Sequence, residues 1–217
     1  MNFKTLTQLP SLMLLGSSLV CSAMAFAHQE GDVFVRAGLG AVMPNESSDD
    51  PNDIGELQLN NDVNLAGTVT YMLSDSTGLE VLLGLPFTHE VSNAGKGAVA
   101  SGVVAEVSHL PLSFAVQHYF AEADSDIRPY VGAGFNYTSF LDEEGKGILA
   151  GRTVSVDNSF GYAIQAGVDI TVSDDLFVNL SAWYLDIETT VKASGGVQDI
   201  SATIDPLALM LAVGYTF

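Results

Sequence analysis

Downstream of residue 28 the chain alternates between large apolar and small or polar side chains. The alternation runs through eight segments: Val33 to Val42, Val63 to Leu73, Gly78 to Phe87, Val107 to Phe120, Arg128 to Phe140, Ser159 to Val172, Leu176 to Ile187 and Ile204 to Phe217. A period of two is that of a β-strand, whose successive side chains leave opposite faces. In the last segment Leu207, Leu209, Leu211, Val213, Tyr215 and Phe217 make one face, and Ala208, Met210, Ala212, Gly214 and Thr216 the slimmer other. Each segment reaches the ~9–11 residues that a tilted strand needs to cross a bilayer. The connections alternate too. Those at 74–77, 121–127 and 173–175 are short, and those near 43–62, 91–106, 141–158 and 189–203 are long.

This pattern predicts an all-β fold, an eight-stranded antiparallel transmembrane β-barrel with short periplasmic turns and long extracellular loops. Both termini then face the periplasm. A soluble lipocalin-like barrel has the same strand count. Its apolar face, however, points inward around a ligand, and it gives no reason for a terminal aromatic residue.

The N-terminus fits export. Lys4, the apolar stretch from Leu12 to Val20, and the small-x-small sites Ala23-Met24-Ala25 and Ala25-Phe26-Ala27 read as a signal peptide over residues 1–27, cut before His28. That stretch is too short for a membrane span of ~20 residues. The barrel domain is expected over 28–217, in the outer membrane of a Gram-negative cell. Cys21, the one cysteine, falls inside the signal, so neither a disulfide nor a lipid anchor is expected.

Charge sharpens the picture. Without the signal, 26 carboxylates face six Lys and Arg, which excludes nucleic acid as a partner. Mean hydropathy is nevertheless positive, because the acids cluster in the loops and leave the strands nearly free of charge.

Parity assigns the faces. The bulky uncharged set, which includes Leu39, Leu65, Leu83, Phe114, Phe135, Ile164 and Leu180, faces lipid, and Tyr71, Phe120, Tyr137, Tyr184, Tyr215 and Phe217 fall near strand ends as interfacial girdles require. The opposite set lines the lumen. Its periplasmic half is a polar floor that includes Arg36, Glu80, Gln117, Gln165, Asp169 and Asn179. Arg36, the only cation in this set, is expected to pair with Glu80 or Asp169, because an unpartnered buried ion is strongly unfavourable.

The outer half is apolar: Leu82, Pro86, Pro111, Phe140, Trp183, Leu185, Ile187 and Met210 point inward by the same count. Such a set is either a small packed core or the lining of a pocket for an apolar ligand. Pro86, Pro111 and Pro206 all lie in the outer parts of strands, where a missing N–H removes a ladder bond and weakens the wall.

Several stretches resemble the OmpW family of eight-stranded outer-membrane proteins. They are Val35-Arg36-Ala37-Gly38, Gly78-Leu79-Glu80-Val81, Pro86-Phe87-Thr88-His89, His109-Leu110-Pro111, Arg128-Pro129-Tyr130-Val131-Gly132-Ala133-Gly134-Phe135, Ser181-Ala182-Trp183-Tyr184-Leu185-Asp186 and Ile204-Asp205-Pro206, in order along the chain. The resemblance implies a monomeric barrel with a hydrophobic channel, in which the residue matching Trp183 lies. It implies help for small apolar molecules in crossing the lipopolysaccharide layer and leaving sideways into the membrane. The chain departs from the family in its very acidic loops, Asn45 to Asp53 and Asp142-Glu143-Glu144.

The leading functional reading is therefore a passive conduit for small hydrophobic molecules with lateral exit, needing no cofactor. Its partners are outer-membrane lipid and lipopolysaccharide, apolar solutes, and the barrel-assembly machinery that reads Phe217. The alternative is a structural or adhesive protein acting through its acidic loops. An enzyme is not expected: Ser108 and His109 adjoin, with Glu90 and Glu106 nearby, but neighbours in a strand face opposite ways. No metal is assigned, since His28, His89, His109 and His118 lack ligand spacing; parity sends His89 and His118 outward and His109 in.

Overall fold

The computed structural model describes residues 28–97 and 99–217; the expected signal peptide lies outside them. In chain order the strands are β1 (Val33–Met43), the short β2 (Ser47–Ser48) and β3 (Leu57–Leu59), β4 (Asp62–Ser74), β5 (Thr77–Gly84), β6 (Phe87–Asn93), β7 (Gly102–Tyr119) and β8 (Ile127–Gly145). A single 3-10 turn follows at Gly147–Leu149. Next come β9 (Val154–Val156), β10 (Ser159–Thr171), β11 (Leu176–Leu185), β12 (Glu188–Ala193), β13 (Ile200–Thr203) and β14 (Leu207–Thr216).

Eight of these close the barrel. Each pairs antiparallel with two neighbours in the cyclic order β1, β4, β5, β7, β8, β10, β11, β14, and the first and last strands seal it through Phe34 opposite Thr216 to Met43 opposite Leu207. Closure gives every barrel strand a neighbour on both sides, which is the condition for a sheet to cross lipid. The outer surface is apolar, with Leu39, Leu65, Leu83, Leu180, Leu211 and Val213 exposed. Aromatic residues mark its two margins, Tyr71, Phe120, Tyr215 and Phe217 at the periplasmic end and Tyr137, Phe160, Tyr162 and Tyr184 at the outer end.

Above the membrane the wall continues. β7 and β8 run on together to Ala105 opposite Gly145, β6 and β3 add to β7, and β2, β13, β12 and β9 form a second sheet. Much of what reads as long loop is therefore strand, built of short pieces that carry too few residues to display a period. Three barrel strands also stop short of the sequence segments. β5 ends at Gly84 rather than Phe87, β11 at Leu185 rather than Ile187, and β14 begins at Leu207 rather than Ile204.

Candidate conduit in the barrel lumen

The periplasmic half of the bore is filled by one polar network centred on Arg36 of β1. Its Nε donates to Asp169 Oδ1 at 3.1 Å and its Nη2 to Asp169 Oδ2 at 2.6 Å, a two-point contact with β10. Nη1 donates to Glu80, to Thr68 Oγ1 at 3.2 Å and to Thr70 Oγ1 at 3.1 Å, and Nη2 also donates to the Tyr119 hydroxyl at 2.9 Å. Asn179 of β11 donates to Asp169 Oδ1 at 2.8 Å and to the Tyr130 hydroxyl at 3.0 Å, while Gln117 donates to Gln165 at 3.4 Å. All six sequence-assigned floor residues thus face the interior and are buried.

Below the floor sits an aromatic layer of Phe34, Tyr119, Tyr130 and Phe177 with Met72. Two glycines make room for it: a Cβ at Gly214 would collide with the Phe177 ring, and one at Gly167 with the Tyr130 ring. His28 lies against Phe34, with ring centroids 3.9 Å apart. A second cation is also buried here. Arg128 donates to the His28 carbonyl at 2.9 Å and to the Asp75 carbonyl, pinning the N-terminal segment to a periplasmic turn. Sequence reading missed it, although its even number on β8 shares the parity of Tyr130.

The outer half is apolar. Leu82, Trp183, Leu185, Ile187 and Met210 are buried together with Ala115, Ala163, Ile204 and Ala212, and Phe140 packs against them half-buried. Trp183 is positioned by β11, opposite Ala208 of β14 and Gln165 of β10. Around it the inward positions are small, Gly40, Ala66 and Ala208, and a narrow apolar cavity remains.

One place in the wall is unzipped. The β5–β7 ladder ends at Leu82 opposite Ser113, and pairing with β7 resumes only at Phe87 opposite His109 of the next strand. Residues 83–86 and 110–112 have no ladder partners across that seam. Pro86 and Pro111 lie on its two sides. The Trp183 cavity reaches this seam, for its lining includes Leu83, Gly84, Phe87 and Pro111 as well as Trp183. Pro206 lies in the same lining, beside the Asp205 bend, and its carbonyl accepts from Leu185 N at 3.2 Å.

The break at Leu85-Pro86 corrects two expectations. Pro86 is exposed, not inward, and His89 is buried, not outward. Leu85 N bonds back to Leu65 and the Pro86 carbonyl accepts from Asn64, so the two residues step out of the β7 ladder and the inward phase shifts from even on β5 to odd on β6. Phe87 and His89 consequently turn in, and His89 stacks on His109 at 5.0 Å between ring centroids. Ser108 instead shares a hydrogen bond of 2.9 Å with Thr88.

Two further apolar cavities continue outward. One, as narrow as the first, is lined by residues that include His89, His109, Phe140 and Ile187, and a somewhat larger one lies beneath the extracellular sheets. The first shares Val42, His109 and Pro206 with the Trp183 cavity and Leu59, Val107, Phe140 and Ile204 with the outermost one. The three spaces therefore succeed one another from the extracellular cap to the seam. Among the described residues there is no cluster of three or more His, Cys, Asp or Glu arranged to hold a metal.

The model of the OmpW family matches residues 29–217. Outer membrane protein W of Vibrio cholerae is 45% identical over 202 residues, covering 90% of this chain and 93% of that one. The crystal structure of the outer membrane protein OprG from Pseudomonas aeruginosa is similar with a TM-score of 0.79 and 29% identity, over 88% of this chain and 98% of OprG. A more distant relative, the dibenzothiophene metabolism operon protein PahQ of Pseudomonas aeruginosa, is 26% identical over 149 residues, 68% of either chain.

Proposed function

Because the chain belongs to the OmpW family of outer-membrane β-barrels, we propose that it passively conducts small hydrophobic molecules through its outer-half lumen and releases them sideways into the membrane. The observation that carries this reading is the run of three apolar cavities with shared lining residues, the innermost reaching the unpaired seam between β5 and β7. Water has no apolar reason to fill such a path, and an apolar solute loses its hydration on entering it, a gain of about 25 cal/mol per Å². For a small solute that total is modest, which suits passage rather than storage.

The floor gives the path its direction. With Arg36, Glu80, Asp169, Gln117, Gln165 and Asn179 interlocked across the bore, continuing toward the periplasm means displacing bonded ions, whereas the β5–β7 seam, which borders the same cavity as Trp183, opens onto lipid. Leu82, Leu185, Ile187, Met210 and Phe140 serve as lining, and Pro86, Pro111 and Pro206 keep the adjoining strands from zipping shut. The relative named for a dibenzothiophene metabolism operon is consistent with an aromatic hydrophobe as one class of solute. The barrel acts as a monomer, and Phe217 is the residue offered to the assembly machinery.

The acidic loops support this role as a solvated rim. Lys96 bridges Asp50 and Asp53, Lys146 pairs with Glu106 and Lys192 with Asp157, so part of the acidity is tied up within the extracellular cap. Passage is read with N-phenyl-1-naphthylamine, an apolar dye that brightens in membranes. Cells carrying the barrel should load faster than cells without it, and equal rates would overturn the proposal.

A further inference from the structure

The otherwise apolar path holds two polar atoms that no protein group satisfies. Nε2 of His89 and Nε1 of Trp183 are both buried without a hydrogen-bond partner, in residues only 2% and 1% exposed. Such atoms are uncommon in folded proteins, because an unmet donor or acceptor loses its hydration for nothing. Each lines one of two successive cavities, and these cavities share His109, on which the His89 ring stacks.

Their chemistry is complementary. Nδ1 of His89 lies 2.6 Å from the Asn60 carbonyl oxygen. A carbonyl can only accept, so Nδ1 carries the proton and Nε2 is left with a bare lone pair, in a residue that lines the cavity. His89 sits on the extracellular strand β6, and burial holds it below the ordinary imidazole range, which keeps that lone pair free at neutral pH. Trp183 Nε1, by contrast, can only donate. A solute moving inward meets an acceptor first and a donor next.

A hydroxyl group is the simple polar group that serves both, donating to one and accepting from the other; an ether or a ketone can only accept. We infer that His89 and Trp183 form a hydroxyl-selecting subsite, so that the conduit favours hydrophobic alcohols and phenols over apolar molecules of equal size that lack a donor. This rests on the conduit reading and specifies its solute class. Trp183 is the sole tryptophan of the chain, so its emission reports the subsite directly.

The test uses the folded barrel in phosphatidylcholine vesicles with 1-octanol and its isomer 1-methoxyheptane, compared at equal mole fraction in the bilayer, and with octane as an apolar reference. One neutral hydrogen bond predicts that octanol half-saturates the Trp183 emission change at about a fivefold lower level than the ether. In His89→Phe that ratio should fall to about one. His89→Gln, which keeps an acceptor, should retain part of it, and the lipid-facing control His118→Phe should retain it fully. A wild-type ratio of one alongside saturable octane binding would overturn the subsite and leave the conduit standing, as would a ratio that persists in His89→Phe. Failure of octane and octanol alike to give a saturable change would remove the conduit and the subsite with it.

Discussion

Arg36 of β1 and Asp169 of β10 hold each other by two parallel hydrogen bonds, 3.1 and 2.6 Å long, across the bore between strands that are not neighbours in the barrel. The pair braces the wall from within. Replacing Arg36 by Met leaves Asp169 and Glu80 buried without their cation, and removing one partner of a buried pair costs about 3–5 kcal/mol. The urea midpoint of the folded barrel should fall accordingly, with Arg36→Lys intermediate because lysine keeps the charge and loses the fork. A midpoint unchanged in Arg36→Met would remove the floor from the account.

The aromatic layer beneath the floor depends on missing side chains. Gly214→Val pushes a branched side chain into the Phe177 ring, and overpacking of this kind costs about 1–3 kcal/mol. The same substitution at Gly196, whose added Cβ meets nothing but whose φ of +80° disfavours a side chain, would act through backbone strain alone. Phe177→Ala combined with Gly214→Val should recover part of the first loss, and a strictly additive double variant would contradict the close-approach explanation.

Much of this arrangement is legible in the sequence, for a definite reason. Lipid on one side and a packed lumen on the other demand opposite residue types, so parity alone sends Leu83, Leu180 and Leu211 outward and Trp183, Met210 and Asp169 inward. Parity fails around Leu85-Pro86, where the four residues 83–86 span a gap of only three, 110–112, on β7 and the count slips by one. The signal was Pro86 itself, a residue that cannot donate to a ladder and therefore marks where a phase can change. Arg128 escaped notice although its parity is that of Tyr130, because it is the second residue of β8 and stands at the border with the periplasmic turn. The extracellular sheets escaped because strands such as Ser47–Ser48 and Val154–Val156 are too short to show alternation.

The seam should respond to its prolines. Pro86→Ala and Pro111→Ala together restore two N–H donors at the unpaired stretch and allow more of the β5–β7 ladder to form. Dye loading should slow while the urea midpoint holds or rises. Loading that is unchanged or faster would show that the seam is not the way out.

Acid should loosen the extracellular cap. Burial lowers the His89 pKa against the pull of the Asn60 carbonyl, Asp62 and Glu46, so an opened cap binds a proton that the closed cap does not. The closed form is then unaffected at high pH and loses stability as the pH drops through about 6.5, the ordinary imidazole value. Protease cleavage near residues 54–60 should accelerate between pH 7.5 and pH 5, and His89→Phe should flatten that dependence. Equal cleavage rates at the two pH values would contradict this.

The central claim is that apolar molecules occupy the lumen beside Trp183, and a bromine-bearing alkane tests it at the residue concerned. With the barrel in lipid vesicles, 1-bromooctane should quench the single tryptophan saturably and beyond the quenching seen for a tryptophan analogue dissolved in the same bilayer, and excess octane should reverse it. Quenching that is linear, insensitive to octane and no greater than that of the analogue would mean that the cavities are packing space and the conduit does not exist.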